Sequence, residues 1–312
     1  MAIQWYPGHM HKARKQLAEV LPKIDVLVEL RDARIPASSS NPNLIELRGE
    51  KPALIVLTKT DLADPVLTDT WRAHFEAEGE SVLLIGNDSR ANADTLPDRV
   101  RALLGGRRQD IPVTIAIVGI PNVGKSTLIN QLAGRQIART GDEPAVTQRQ
   151  QRVSLNAGLS LLDTPGLLWG NIDNHASGYR LAVTGAIKNT AIDHAEVALF
   201  AIEALDALYP GRLAKRYNLS GTDATGTLLT PIETLEAIGA RRGCLVRGGT
   251  VHLERAATIL LTDLRSGLLD RYTLETPDML EAEHLITLER NAEREAKKAA
   301  RLAARKTKRR RS

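Results

Sequence analysis

The stretch Gly119-Ile-Pro-Asn-Val-Gly-Lys125-Ser126 constrains this chain most, because it fits the phosphate-loop pattern G-x-x-x-x-G-K-[ST] and follows the apolar run Thr114-Ile-Ala-Ile-Val118. Such a loop works between a strand and a helix. The strand carries the turn to the carboxyl edge of a sheet, and the helix aims its N-terminal partial positive charge at bound phosphates. The helix-prone residues from Ser126 to Ala133 meet the second need. Gly119 and Gly124 let backbone N–H groups converge on an anion. Lys125 can then reach the β and γ oxygens, and the Ser126 hydroxyl can ligate magnesium. Asn122, Val123 and Thr127 complete the cradle. The pattern predicts a nucleoside triphosphate site in an α/β domain built on a mostly parallel sheet.

Two other apolar runs end in residues suited to the same ligand. Leu159-Ser-Leu-Leu162 leads into Asp163-Thr-Pro-Gly166. Asp163 is expected to hold magnesium, and the Gly166 backbone to sense the γ-phosphate, so that the following loop orders with triphosphate and relaxes after hydrolysis. Alone, these four residues also read as a plain turn. Ala53-Leu-Ile-Val-Leu57 leads into Thr58-Lys59-Thr60-Asp61. The carboxylate of Asp61 can accept from both the ring N–H and the exocyclic amine of guanine, which adenine cannot match. Lys59 is expected to lie over the base and brace the phosphate loop. Thr58 stands where Asn is usual, and outside this context the tetrad would read as a helix start. Together the motifs specify GTP.

Their order is unusual. The guanine tetrad comes first, then the strand Ser81-Val-Leu-Leu-Ile85, then the phosphate loop and Asp163. Reopening a doubly wound sheet in a surface connection and joining its old ends keeps every strand neighbour, so a circularly permuted domain retains its site. Residues beyond Gly166 then leave the nucleotide domain directly. Thr147, in the polar stretch 141–151, is expected to join the magnesium shell in the triphosphate state, although it also reads as a solvated loop residue. Gly86-Asn87-Asp88-Ser89 departs from the usual base-side signature, and no residue is assigned there.

With these motifs in this order, Ile3-Gln-Trp-Tyr-Pro-Gly-His-Met10-His-Lys-Ala-Arg14, Arg31-Asp-Ala-Arg-Ile-Pro36-Ala-Ser-Ser-Ser-Asn-Pro42 and Pro144-Ala-Val-Thr147 resemble the YlqF/RbgA family, the ribosome biogenesis GTPase A proteins. The resemblance spans nearly the whole chain apart from the last twenty or so residues. It implies GTP hydrolysis coupled to late maturation of the large ribosomal subunit. Leu167 follows Gly166 where Ras-like proteins carry a water-orienting Gln, and Leu cannot position a nucleophile. The resemblance nominates His9 to activate or orient water, while a capping or packing role in the first helix stays open. Asn122 matches GTPases that bind potassium beside the phosphates. GTP or GDP with magnesium, and potassium at Asn122, are the expected ligands.

Composition fits a soluble, cytoplasmic protein. Of 312 residues, 43% are hydrophobic and 25% charged, with no run of 18 apolar residues and no secretion-type leader. A single cysteine, Cys244, excludes an internal disulfide framework and a multi-cysteine zinc module. The expected layout is a GTPase domain over 1–174, a smaller all-helical recognition domain over 175–285 and a basic tail over 286–312. Residues 291–312 hold ten Lys or Arg against two Glu. The basic character is therefore local, and suits phosphate contacts with rRNA, though a charge run also reads as a solvated or disordered end. Lys12, Arg14 and Lys15 add a smaller patch beside His9. A monomer bound to a large-subunit precursor, with no membrane contact, is expected. The alternative is a GTP-dependent RNA-binding scaffold in which hydrolysis is incidental.

Overall fold

The computed structural model describes residues 18–41, 44, 47–86, 93–105, 111–136, 152–155, 158–162, 174–222, 227–283 and 285–287. His9, Lys12, Arg14, Lys15, Thr147, Asp163, Gly166, Leu167 and residues 288–312 lie outside that set, as does the 87–89 loop.

Six strands form one sheet: β1 (Val26–Asp32), β2 (Ala53–Thr58), β3 (Ser81–Ile85), β4 (Val113–Gly119), β5 (Arg152–Ser154) and β6 (Leu159–Leu162). Their spatial order is β3-β2-β1-β4-β6-β5, parallel throughout except for the edge strand β5. Counting from the phosphate-loop strand β4, and continuing from β6 to β1, turns this order into 2-3-1-4-5-6 read from β5. The permutation expected from the motif order is thus present in the sheet.

Buried parallel strands need apolar cover on both faces, and the period-two alternation supplies it. Val26, Val28, Leu30, Ile115 and Ile117 point into the largest core, while Leu27, Ala116 and Val118 point into a second cluster on the opposite face. Every residue of β1, β2 and β4 is buried. Helix α1 (Pro65–Ala77) is capped by Asp64, whose carboxylate accepts from the Val66 and Leu67 N–H groups. It packs Trp71 and Phe75 with Ile55 and Leu57 of β2. Helix α2 (Leu96–Ala102) adds Leu96 and Val100 to the main core.

Helix α3 (Lys125–Ala133) follows the phosphate loop. Among the described residues beyond 174 the elements are α4 (His175–Val183), a 3-10 turn (Asn189–Ala191), α5 (His194–Leu208), α6 (Arg212–Tyr217), α7 (Pro231–Arg241) and α8 (Leu253–Arg265). Thr230 and Glu233 form a reciprocal capping box at the start of α7. Leu181, Ala201, Leu235 and Leu260 of this bundle share one core with the sheet residues Val28 and Ile117. Contacts accordingly group residues 1–274 as one compact unit and 275–312 as another. The cause is visible after α8, where Tyr272 N–H donates to Leu62 O and Leu274 N–H to Arg34 O. In the second unit, Thr276 accepts from the Met279 N–H. Among the described residues, no helix is long and apolar enough to cross a membrane.

Candidate functional site

The site gathers at the carboxyl ends of β4, β1 and β2, where open parallel sheets place ligands. At Gly119 a side chain cannot fit, since a Cβ would stand 2.6 Å from Leu30 O on the neighbouring strand. Gly124 has open space around it but caps α3 at φ +104°, a conformation that excludes most L-residues. The two glycines of the motif therefore serve different ends, close approach and backbone hand. Asn122 also has a left-handed backbone, at φ 58°. Lys125 folds back so that its ammonium donates to Gly119 O at 3.0 Å and Ile120 O at 2.7 Å. Ser126 is half-buried and Thr127 exposed on the first turn of α3.

The residue before Lys59 bonds directly to the phosphate loop. Thr58 donates its hydroxyl to Val123 O in the phosphate loop at 2.7 Å, and its oxygen lies 3.1 Å from Arg31 O. The Lys59 ammonium pairs with Asp32 Oδ2 at 3.1 Å, because that carboxylate is buried at the end of β1. Burial lowers the Lys59 pKa, and Asp32 opposes the shift. Burial by itself would raise Asp32, but Arg34 and Lys59 overcome it and hold the carboxyl well below the usual range. Arg34 engages Asp32 through two parallel bonds of 2.9 and 2.8 Å, and donates to the Tyr272 hydroxyl at 3.2 Å. Its own pKa is raised: burial works against the charge, and Asp32 outweighs it.

A cavity of about 620 Å³ opens between these loops and the helical segment. Thr58, Lys59 and Gly86 line it from the ends of β2 and β3, and Asn122, Gly124 and Thr127 from the phosphate loop and α3. Ile187, Lys188, Asn189, Thr262 and Arg265 close it from α4 onward. Asp61 borders a neighbouring pocket with Asp64, Arg212 and Asp270. The Asn122 side-chain amide donates to Gly185 O at 2.9 Å, so the phosphate loop touches the turn after α4.

Thr58, Lys59, Asn122, Val123, Gly124 and Thr127 thus meet at one cavity, with Lys125 folded against the loop that borders it. Arg34, Asp32, Gly185 and Arg265 belong to the same assembly but carry no nucleotide motif. The sequence signal for the first pair was a charged Arg31-Asp32-Ala33-Arg34 run at the end of an apolar strand. For the second pair there was none.

Residues 114–223 match the family model described as 50S ribosome-binding GTPase. With the permuted sheet and the motif set, this defines the class: a phosphate-loop GTPase, an enzyme that hydrolyses GTP to GDP and phosphate. The chain is 42% identical over 292 residues to Ribosome biogenesis GTPase A of Priestia megaterium, covering 90% of this chain and 99% of that protein. It is similar to the GDP-bound structure of TM YlqF, with 27% identity, a TM-score of 0.62 and 84% and 99% of the two chains covered. The GNP-bound YlqF from T. maritima gives 27% identity, a TM-score of 0.61 and 85% and 98% coverage. The chain belongs to the ribosome biogenesis GTPase A family.

Proposed function

We propose that this GTPase binds a precursor of the large ribosomal subunit and couples GTP hydrolysis to its late maturation. The observation that carries the reading is the convergence of Thr58, Lys59 and the phosphate loop on one cavity in a chain of this family. The cytoplasm is its place of action, and the monomer its working form.

In this reading Lys125 leaves the Gly119 and Ile120 carbonyls for the β and γ oxygens, an exchange that keeps its donors satisfied. Asp61 reads the guanine edge. Magnesium takes few protein ligands beside the phosphates, and the Ser126 hydroxyl, half-buried next to Lys125, is a fitting hard oxygen donor, with Asp163 and Thr147 as partners. When bound, the metal neutralises charge on the β and γ oxygens. Gly166 senses the γ-phosphate. His9 orients water, and the Asn122 Oδ1, left over once Nδ2 donates to Gly185, takes potassium. Residues 291–312 contact rRNA phosphates.

The test is GTP turnover with and without purified large subunits. Stimulation that His9→Ala abolishes and loss of the tail leaves intact supports the enzyme reading; no stimulation favours a scaffold with incidental hydrolysis. Asp61→Asn should move preference from GTP toward XTP, because an amide can donate to the xanthine 2-oxygen.

A further inference from the structure

A helix leaves its last carbonyls without intrahelical donors. At the end of α4, four consecutive carbonyls each receive a side chain from elsewhere. Arg265 donates to Ala182 O at 2.7 Å and to Val183 O at 2.9 Å, Arg34 makes a longer 3.5 Å contact to Thr184 O, and Asn122 donates to Gly185 O. The third arm of the Arg265 fork reaches Asn189 Oδ1 at 3.0 Å. One guanidinium therefore spans both ends of the segment 182–189, whose later residues Gly185, Ile187, Lys188 and Asn189 line the cavity opposite Thr58 and Lys59. A planar, permanently charged fork suits this task, and the negative end of the α4 dipole favours a cation there.

We propose that Arg265 is a positioning residue of the nucleotide site: it fixes the turn after α4 as the outer wall of the guanosine cavity, so that nucleotide leaves only when this wall yields. This rests on the guanosine reading of the cavity. The wall bonds to the phosphate loop through Asn122 but holds no residue of the guanine tetrad, so its loosening should act on release rather than on base choice.

The experiment is stopped-flow dissociation of fluorescent mant-GDP from the full chain, with the thermal midpoint of nucleotide-free protein measured alongside. Arg265→Met should speed dissociation roughly tenfold, as expected for loss of several charge-assisted bonds. Arg265→Lys, able to meet one carbonyl, should fall between. Asn189→Ala removes only the outer bond of an exposed residue and should raise the rate about threefold. The preference for GDP over ADP should stay unchanged in all three. Dissociation within twofold of wild type in Arg265→Met and Asn189→Ala overturns the proposal, as does a lowered midpoint with an unaltered rate. Should Arg265→Met fail to fold, Asn189→Ala decides. Failure of the wild-type chain to bind mant-GDP would sink the guanosine reading itself and this inference with it, whereas binding with unaltered variant rates sinks the inference alone.

Discussion

The Thr58 hydroxyl donates to the Val123 carbonyl across 2.7 Å, joining the end of β2 to the phosphate loop over 65 positions of sequence. This bond ties the end of β2 to the phosphate loop directly, beside the strand pairing that joins β2 to β4 through β1. Thr58→Val keeps the shape and deletes the donor, so GDP affinity should fall about fivefold, in line with roughly 1 kcal/mol for a buried hydrogen bond. Thr58→Asn, whose amide can donate in the same direction, should retain affinity. Titration calorimetry of the two variants distinguishes them.

Gly119→Ala should damage the fold as well as the site. Its Cβ would press on the backbone oxygen of Leu30, in the centre of the sheet, where no flexible side chain can give way. We expect a loss of at least about 2 kcal/mol in urea unfolding, accompanied by loss of GTP binding. Gly124→Ala meets no neighbour, and its penalty comes from the left-handed backbone alone, about 1 kcal/mol.

Asp32→Asn should destabilise the protein by roughly 3–5 kcal/mol at neutral pH, because Arg34 would stay buried without its counter-ion. The folded pKa of Asp32 lies below its ordinary value of 3.8. Its contribution is therefore complete above that value and is lost as pH falls toward the folded pKa. The gap in urea midpoint between wild type and Asp32→Asn should be constant from about pH 5 upward and narrow below pH 4.

Asp263 anchors the helical segment. Its Oδ2 accepts from Arg216 at 3.1 Å, the Tyr217 hydroxyl at 3.1 Å and Arg242 at 3.0 Å, tying α8 to α6 and to the end of α7. Asp263→Ala should lower stability by about 2–4 kcal/mol, since two cations lose their shared partner at a buried oxygen. Differential scanning calorimetry reads the shift.

Much of the nucleotide framework was legible in the chain because its signals are local. A phosphate loop is eight consecutive residues between an apolar strand and a helix, and β4, the loop and α3 occupy the places the pattern assigns them. The ends of β2 and β6 likewise fall at Thr58 and Leu162, where the apolar runs stop. The permuted order could be read directly, because strand order along the chain requires no contact information.

Long-range partnerships were not legible. Arg34 meets Tyr272 and Asn122 meets Gly185 where the sheet closes against the helices, and Asp32 meets Lys59 across the paired ends of β1 and β2. A buried charge takes whichever counter-charge the fold delivers, and sequence spacing carries no record of that choice. The amino-acid order alone determined the ligand class and the permuted strand sequence, through local patterns of glycine, charge and apolar period. Tertiary packing alone decided that the helical segment shares the sheet's core and walls the cavity beside the phosphate loop, because shared burial of distant apolar faces sets which surfaces meet.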